Sequence, residues 1–80
     1  MDLFAEIKEI IVKEWALDED IVISEAHLQD DLGADSLMLL NLTEIIGIRY
    51  GIDVTGDDLI EVTNVGELIK LIESRISSES

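Results

Sequence analysis

The sequence predicts an all-α fold: a small bundle of three main helices and one short helix, with a long first loop. Three observations predict it. Apolar residues recur at helical spacing in three stretches, no stretch alternates clearly as a strand would, and the 80 residues include no proline. With 48% hydrophobic residues and only three aromatics, the core must be built from Ile, Leu and Val. So short a chain supports one such core, because little of its surface can be hidden. Residues 1–76 read as the domain and residues 77–80 as a polar tail.

The first helix runs from Asp2, a plausible cap, to about residue 16. Leu3, Phe4, Ile7, Ile10, Ile11 and Trp15 repeat at its period, and Glu9 with Lys13 forms a favourable i,i+4 pair. Residues 17–34 form a long connection that needs buried pins to stay ordered, and Ile21, Ile23 and Leu28 are expected to supply them. Asp18-Glu19-Asp20 lacks the alternating oxygen ligands and turn glycine of a Ca²⁺ loop, so it reads as a solvated acidic run.

Asp31-Leu32-Gly33-Ala34-Asp35-Ser36-Leu37 leads into a second helix over residues 36–50. Gly33 supplies a turn conformation closed to other residues, and Asp35 and Ser36 are both good caps. Met38, Leu39, Leu42, Ile45, Ile46 and Tyr50 fall on one arc, which should face the core. Leu37, Leu40 and Ile48 fall outside it, around Glu44, and form an apolar patch on a nominally wet face. Gly47 costs about 1 kcal/mol relative to alanine inside a helix, and Gly51 ends it. The end of this helix is therefore expected to open more readily than the other long helices.

After a turn at residues 53–56, residues 57–61 read as the short helix, with Asp57 and Asp58 at its positive end. Some of Val54, Leu59, Ile60 and Val62 should close the core beside the second helix. Asn64-Val65-Gly66-Glu67 has capping-box spacing. The last helix follows to about Ile76, burying Val65, Leu68, Ile69, Ile72 and Ile76.

Composition narrows the function. A formal charge of −14 makes nucleic acid and anionic membranes poor partners, and basic protein surfaces good ones. The absence of cysteine removes any thiolate nucleophile or Cys-based metal site and is compatible with a reducing cytosol. No basic leader or long apolar run is present, so no membrane insertion and a cytoplasmic location are expected. His27 is the only histidine, in a loop, and Gly33-Ala34-Asp35-Ser36-Leu37 carries an alanine that a GDSL hydrolase signature lacks. No catalytic triad is indicated, and the chain does not read as an enzyme. What remains is Ser36 at a helix entrance, where backbone N–H groups and the helix dipole favour an anion. From the residues alone, Ser36 is either such a site or only a cap.

The run D-L-G-A-D-S-L over residues 31–37 resembles the phosphopantetheine attachment motif of the acyl carrier protein family. The likeness extends through the amphipathic first helix, the long loop with Leu28 as its apolar anchor, and the Asn64-Val65 helix start. It implies that Ser36 carries a covalent 4′-phosphopantetheine derived from coenzyme A. A separate Mg²⁺-using phosphopantetheinyl transferase would install it, with Asp35 positioning Ser36 and no structural metal in the carrier. Partner docking is expected at Leu37, Met38, Leu40, Asn41, Glu44 and Ile48, and an acyl cavity at Leu39, Leu42, Ile46, Leu59, Val62 and Leu68. Relatives commonly place acids along helix two. This chain has Met38, Asn41, Gly47, Ile48 and Arg49 there, with only Glu44 acidic, which favours a dedicated pathway over standard fatty-acid-synthase partners. The resemblance thus implies a monomeric carrier in fatty acid, lipid or polyketide-type biosynthesis, served by acyl-loading and acyl-processing enzymes. A peptidyl or aminoacyl carrier, including the D-alanyl type, is an alternative, as is an acidic helical interaction module in which Ser36 only caps. A cation-responsive acidic bundle ranks last, because no run supplies the ligand spacing.

Overall fold

The computed structural model describes residues 2–79, with side chains through Ser77, and places four helices in order. They are α1 (Leu3–Trp15), α2 (Ser36–Tyr50), α3 (Gly56–Ile60) and α4 (Val65–Glu79), with a 3₁₀ turn over Glu19–Ile21. Among the described residues there is no strand, only an isolated antiparallel bridge between His27 and Asn64. α1 packs against both α2 and α4, while α3 lies on α2.

Each helix begins where a side chain takes up a free N–H. Asp2 accepts from Ala5 N–H at 3.3 Å, and Asn64 Oδ1 accepts from Glu67 N–H at 2.9 Å. The core is aliphatic. Ile7 and Ile11 of α1, Leu42 and Ile46 of α2, Leu59 of α3 and Leu68 and Ile72 of α4 are all buried. α2 ends at Gly51, whose φ of 64° suits a glycine. The core-facing arc holds: Leu39, Leu42 and Ile46 are buried, and Met38, Ile45 and Tyr50 pack half-buried against them.

Several expectations need correction. Ile21 and Ile23 do not pin the first loop; each is 45% exposed, and Val22 between them is fully buried. Ile21 closes the 3₁₀ turn, and the chain leaves that turn with Val22 facing the core and both isoleucines facing out. Ala26, Leu28 and Leu32 provide the other anchors. The short helix starts at Gly56 rather than residue 57, because Thr55 is its cap: Asp58 N–H donates to Thr55 Oγ1 at 3.2 Å. Asp58 closes that box from the other side, whereas Asp57 is exposed and takes no part in it. Ile60 points outward. α4 passes the expected end at Ile76 and continues to Glu79. Of the polar tail expected over residues 77–80, residues 77–79 belong to this helix; Ser80 lies outside the described residues, as do the side chains of Ser78 and Glu79.

Gly47 has a packing reason. A Cβ there would stand 3.2 Å from the Ile52 carbonyl oxygen, so the glycine lets the chain leaving α2 fold back against the helix. The same end is tied to α1, since the Tyr50 hydroxyl donates to Glu6 Oε1 at 2.9 Å and Arg49 Nε lies 3.8 Å from that oxygen. Burial and, next, the Glu6 hydrogen bond push the Tyr50 phenol up to about 12 from its ordinary 10.0. A raised folded value means that the contribution to stability is complete below pH 10.0 and is lost as pH rises towards about 12. The absorbance of the only tyrosine should therefore titrate near 12, and Glu6→Gln should lower that midpoint only part-way, because burial remains. A wild-type midpoint at the ordinary value would show that the Tyr50–Glu6 tie is not made in solution.

Candidate functional site at the entrance of α2

The loop that delivers Ser36 is held by its own backbone. The N–H groups of Asp31 and Leu32 both donate to the His27 carbonyl at 3.0 Å, Gly33 N–H to Gln29 at 3.1 Å, and Ala34 N–H to Leu28 at 2.9 Å. Gly33 makes the turn possible with φ of 72° and no heavy atom near its missing Cβ. Leu32 and Ala34, on either side of it, are buried, so the loop is pinned just before the helix opens. The Asp31 carboxylate accepts from His27 N–H at 2.8 Å. The whole segment is stapled to the start of α4: Leu28 N–H donates to Thr63, Val65 N–H to Ala26 and Gly66 N–H to Ser24, at 2.9–3.1 Å.

Asp35, not Ser36, caps α2. Its backbone is extended, its Oδ1 accepts from Met38 N–H at 2.9 Å, and its carbonyl accepts from Leu39 N–H at 3.0 Å. Ser36 is the first helical residue and is exposed. Among the described residues no partner takes its hydroxyl, nor the N–H groups of Ser36 and Leu37. The cap reading of Ser36 therefore fails on geometry. An uncommitted hydroxyl stands beside two free backbone donors at the positive end of a 15-residue helix, a place suited to a phosphate ester.

His27 is half-buried, with Nδ1 3.7 Å from an Asp30 carboxylate oxygen, and among the described residues no hydrogen bond joins it to Ser36. No group of three or more His, Cys, Asp or Glu among the described residues is arranged to hold a metal ion.

The profile of the family described as phosphopantetheine attachment site matches residues 5–72, most of the chain. An acyl carrier protein from Thermotoga maritima is 37% identical over 75 residues, covering 94% of this chain and 93% of the relative. One from Petrotoga mobilis is 34% identical over 76 residues, covering 95% and 89%. The chain belongs to the acyl carrier protein family. It is thus a carrier rather than an enzyme, and its cargo rides on a covalent 4′-phosphopantetheine. That arm supplies the thiol which this cysteine-free chain lacks. Family membership also implies a phosphopantetheinyl transferase and acyl-processing enzymes as partners. No helix among the described residues is long and apolar enough to cross a membrane.

Along α2 of this acyl carrier, Leu37 and Leu40 near the entrance and Ile48 in the last turn are exposed, at 66%, 51% and 86%. Asn41 and Glu44 are exposed on the same helix, and Met38 is half-buried. Of the six residues expected to line an acyl cavity, Leu39, Leu42, Ile46, Leu59 and Leu68 are buried and Val62 is half-buried. Leu32 and Ala34, the pins of the attachment loop, were not among the residues expected to anchor it. The alternation of apolar residues around Gly33 was the available signal.

Proposed function

We propose that Ser36 Oγ is the atom that carries the phosphopantetheine arm, and that this carrier presents acyl thioesters to the enzymes of a dedicated biosynthetic pathway in the cytoplasm. One observation carries the assignment: Ser36 opens α2 with its hydroxyl exposed and uncommitted, while Asp35 beside it does the capping. Asp35 serves the attachment indirectly. By holding Met38 N–H it fixes the first turn, and with it the direction in which Ser36 leaves the helix. The free N–H groups of Ser36 and Leu37 would stabilise the phosphodiester charge.

The docking face supports a dedicated pathway. Leu37, Leu40 and Ile48 present apolar surface, Asn41 and Met38 add no charge, and Glu44 alone offers an acid. A partner reading this face would rely on apolar contact more than on charge, so its binding should vary little with salt. Leu39, Leu42, Ile46, Leu59, Val62 and Leu68 give the cargo an aliphatic seat between α2, α3 and α4. Such a seat suits an acyl chain better than a short polar aminoacyl group. The carrier acts as a monomer in this reading.

Incubation with coenzyme A and a promiscuous phosphopantetheinyl transferase tests the assignment. Intact mass should rise by one phosphopantetheine, and a chain that stays at its unmodified mass would refute it.

A further inference from the structure

α3 is five residues long, too short to persist by itself, and Leu59 is the side chain it buries. Polar contacts ending on α4 tie it down. Asp58 Oδ2 accepts from Thr55 N–H at 3.0 Å and from the Thr55 hydroxyl at 3.1 Å, completing the capping box. The other oxygen of that carboxylate accepts from Arg75 Nη2 at 3.0 Å, while Arg75 Nη1 donates to the Asp53 carbonyl at 2.6 Å. One guanidinium therefore grips both the turn before α3 and the first turn of α3 itself. Exposed ion pairs hold little, but here the two side chains are only 35% and 23% exposed. The planar fork also gives each partner its own nitrogen in a fixed geometry.

We infer that Arg75 is a positioning residue for the acyl cargo: its grip on Asp53 and Asp58 keeps Leu59 seated and sets how readily a chain enters or leaves beneath α3. The inference rests on the proposed seat between α2, α3 and α4. Leu59 is 1% exposed, so a chain that enters beside it must displace it, and α3 must shift for that to happen. Lifting α3 from α4 breaks the Arg75 contact to Asp58, and moving the turn before it breaks the one to Asp53. Arg75 thus adds to the barrier in each direction without touching the attachment serine.

The test uses the phosphopantetheinylated protein carrying an octanoyl or an acetyl thioester, as wild type, Arg75→Gln and Arg75→Lys. A seated chain draws its thioester towards the protein, so hydroxylamine should cleave octanoyl more slowly than acetyl in the wild type. At hydroxylamine concentrations high enough that departure of the chain limits cleavage, Arg75→Gln should speed octanoyl cleavage about fivefold and leave acetyl cleavage unchanged, with amide exchange at Leu59 rising by about tenfold. Exchange at Ile10 and Ile11 of α1 should not move. Arg75→Lys should fall between, since an ammonium keeps the charge but lacks the two separate nitrogens that reach Asp53 and Asp58. Octanoyl protection equal in wild type and Arg75→Gln would overturn the role of Arg75 while leaving the seat intact. Equal cleavage of the two thioesters in the wild type would overturn the seat, and the role of Arg75 with it. Exchange rising equally in α1 would mark a general loosening and also overturn the inference.

Discussion

Replacing Ser36 by alanine is expected to abolish attachment of the arm: with coenzyme A and transferase present, the variant keeps its unmodified mass. The fold should hardly notice. Ser36 is exposed, its hydroxyl has no partner among the described residues, and Asp35 already caps the helix, so stability should change by no more than about 0.5 kcal/mol. Asp35→Ala makes the contrast. It removes the acceptor for Met38 N–H and should cost about 1 kcal/mol, while leaving a hydroxyl that still takes the arm, more slowly. Denaturant midpoints together with the time course of mass gain separate the two. A Ser36→Ala chain that gains the arm would end the assignment. One that unfolds would show that the serine holds the helix after all.

The second large effect is on stability. Leu42 is fully buried at the centre of α2, and Leu42→Ala should cost about 2–5 kcal/mol. A domain of this size holds only about 4–12 kcal/mol in total, so the variant should be marginal or unfolded at room temperature. Ile48→Ser, on the same helix but 86% exposed, should stay within about 0.5 kcal/mol of wild type. Its effect should fall on reactions with partner enzymes, as a raised KM for the carrier with kcat unchanged. Equal destabilisation by the two substitutions would contradict the placement of the core-facing arc.

That arc was legible because a helix repeats itself. Fifteen residues between Asp35 and Gly51 define both bounds and the buried face, and Leu37, Leu40 and Ile48 fall outside it in sequence and structure alike. Whether Ser36 or Asp35 caps could not be read, since both types cap well and only the Met38 N–H bond decides. In the first loop no period exists to count. Three consecutive apolar residues, Ile21, Val22 and Ile23, offer two opposite registers, and the more bulky pair turned out to face water. Long-range ties left no trace in local pattern. Tyr50 meets Glu6 across 44 residues, and Arg75 reaches Asp58 and Asp53 across 17 and 22. The attachment motif was legible for a different reason, being a contiguous run that the loop geometry needs intact.

Fragment mass mapping of the phosphopantetheinylated chain tests the central claim most directly. The added mass should map to Ser36 and to no other serine; an arm on Ser24, Ser74 or any other residue, with Ser36 bare, would contradict the assignment.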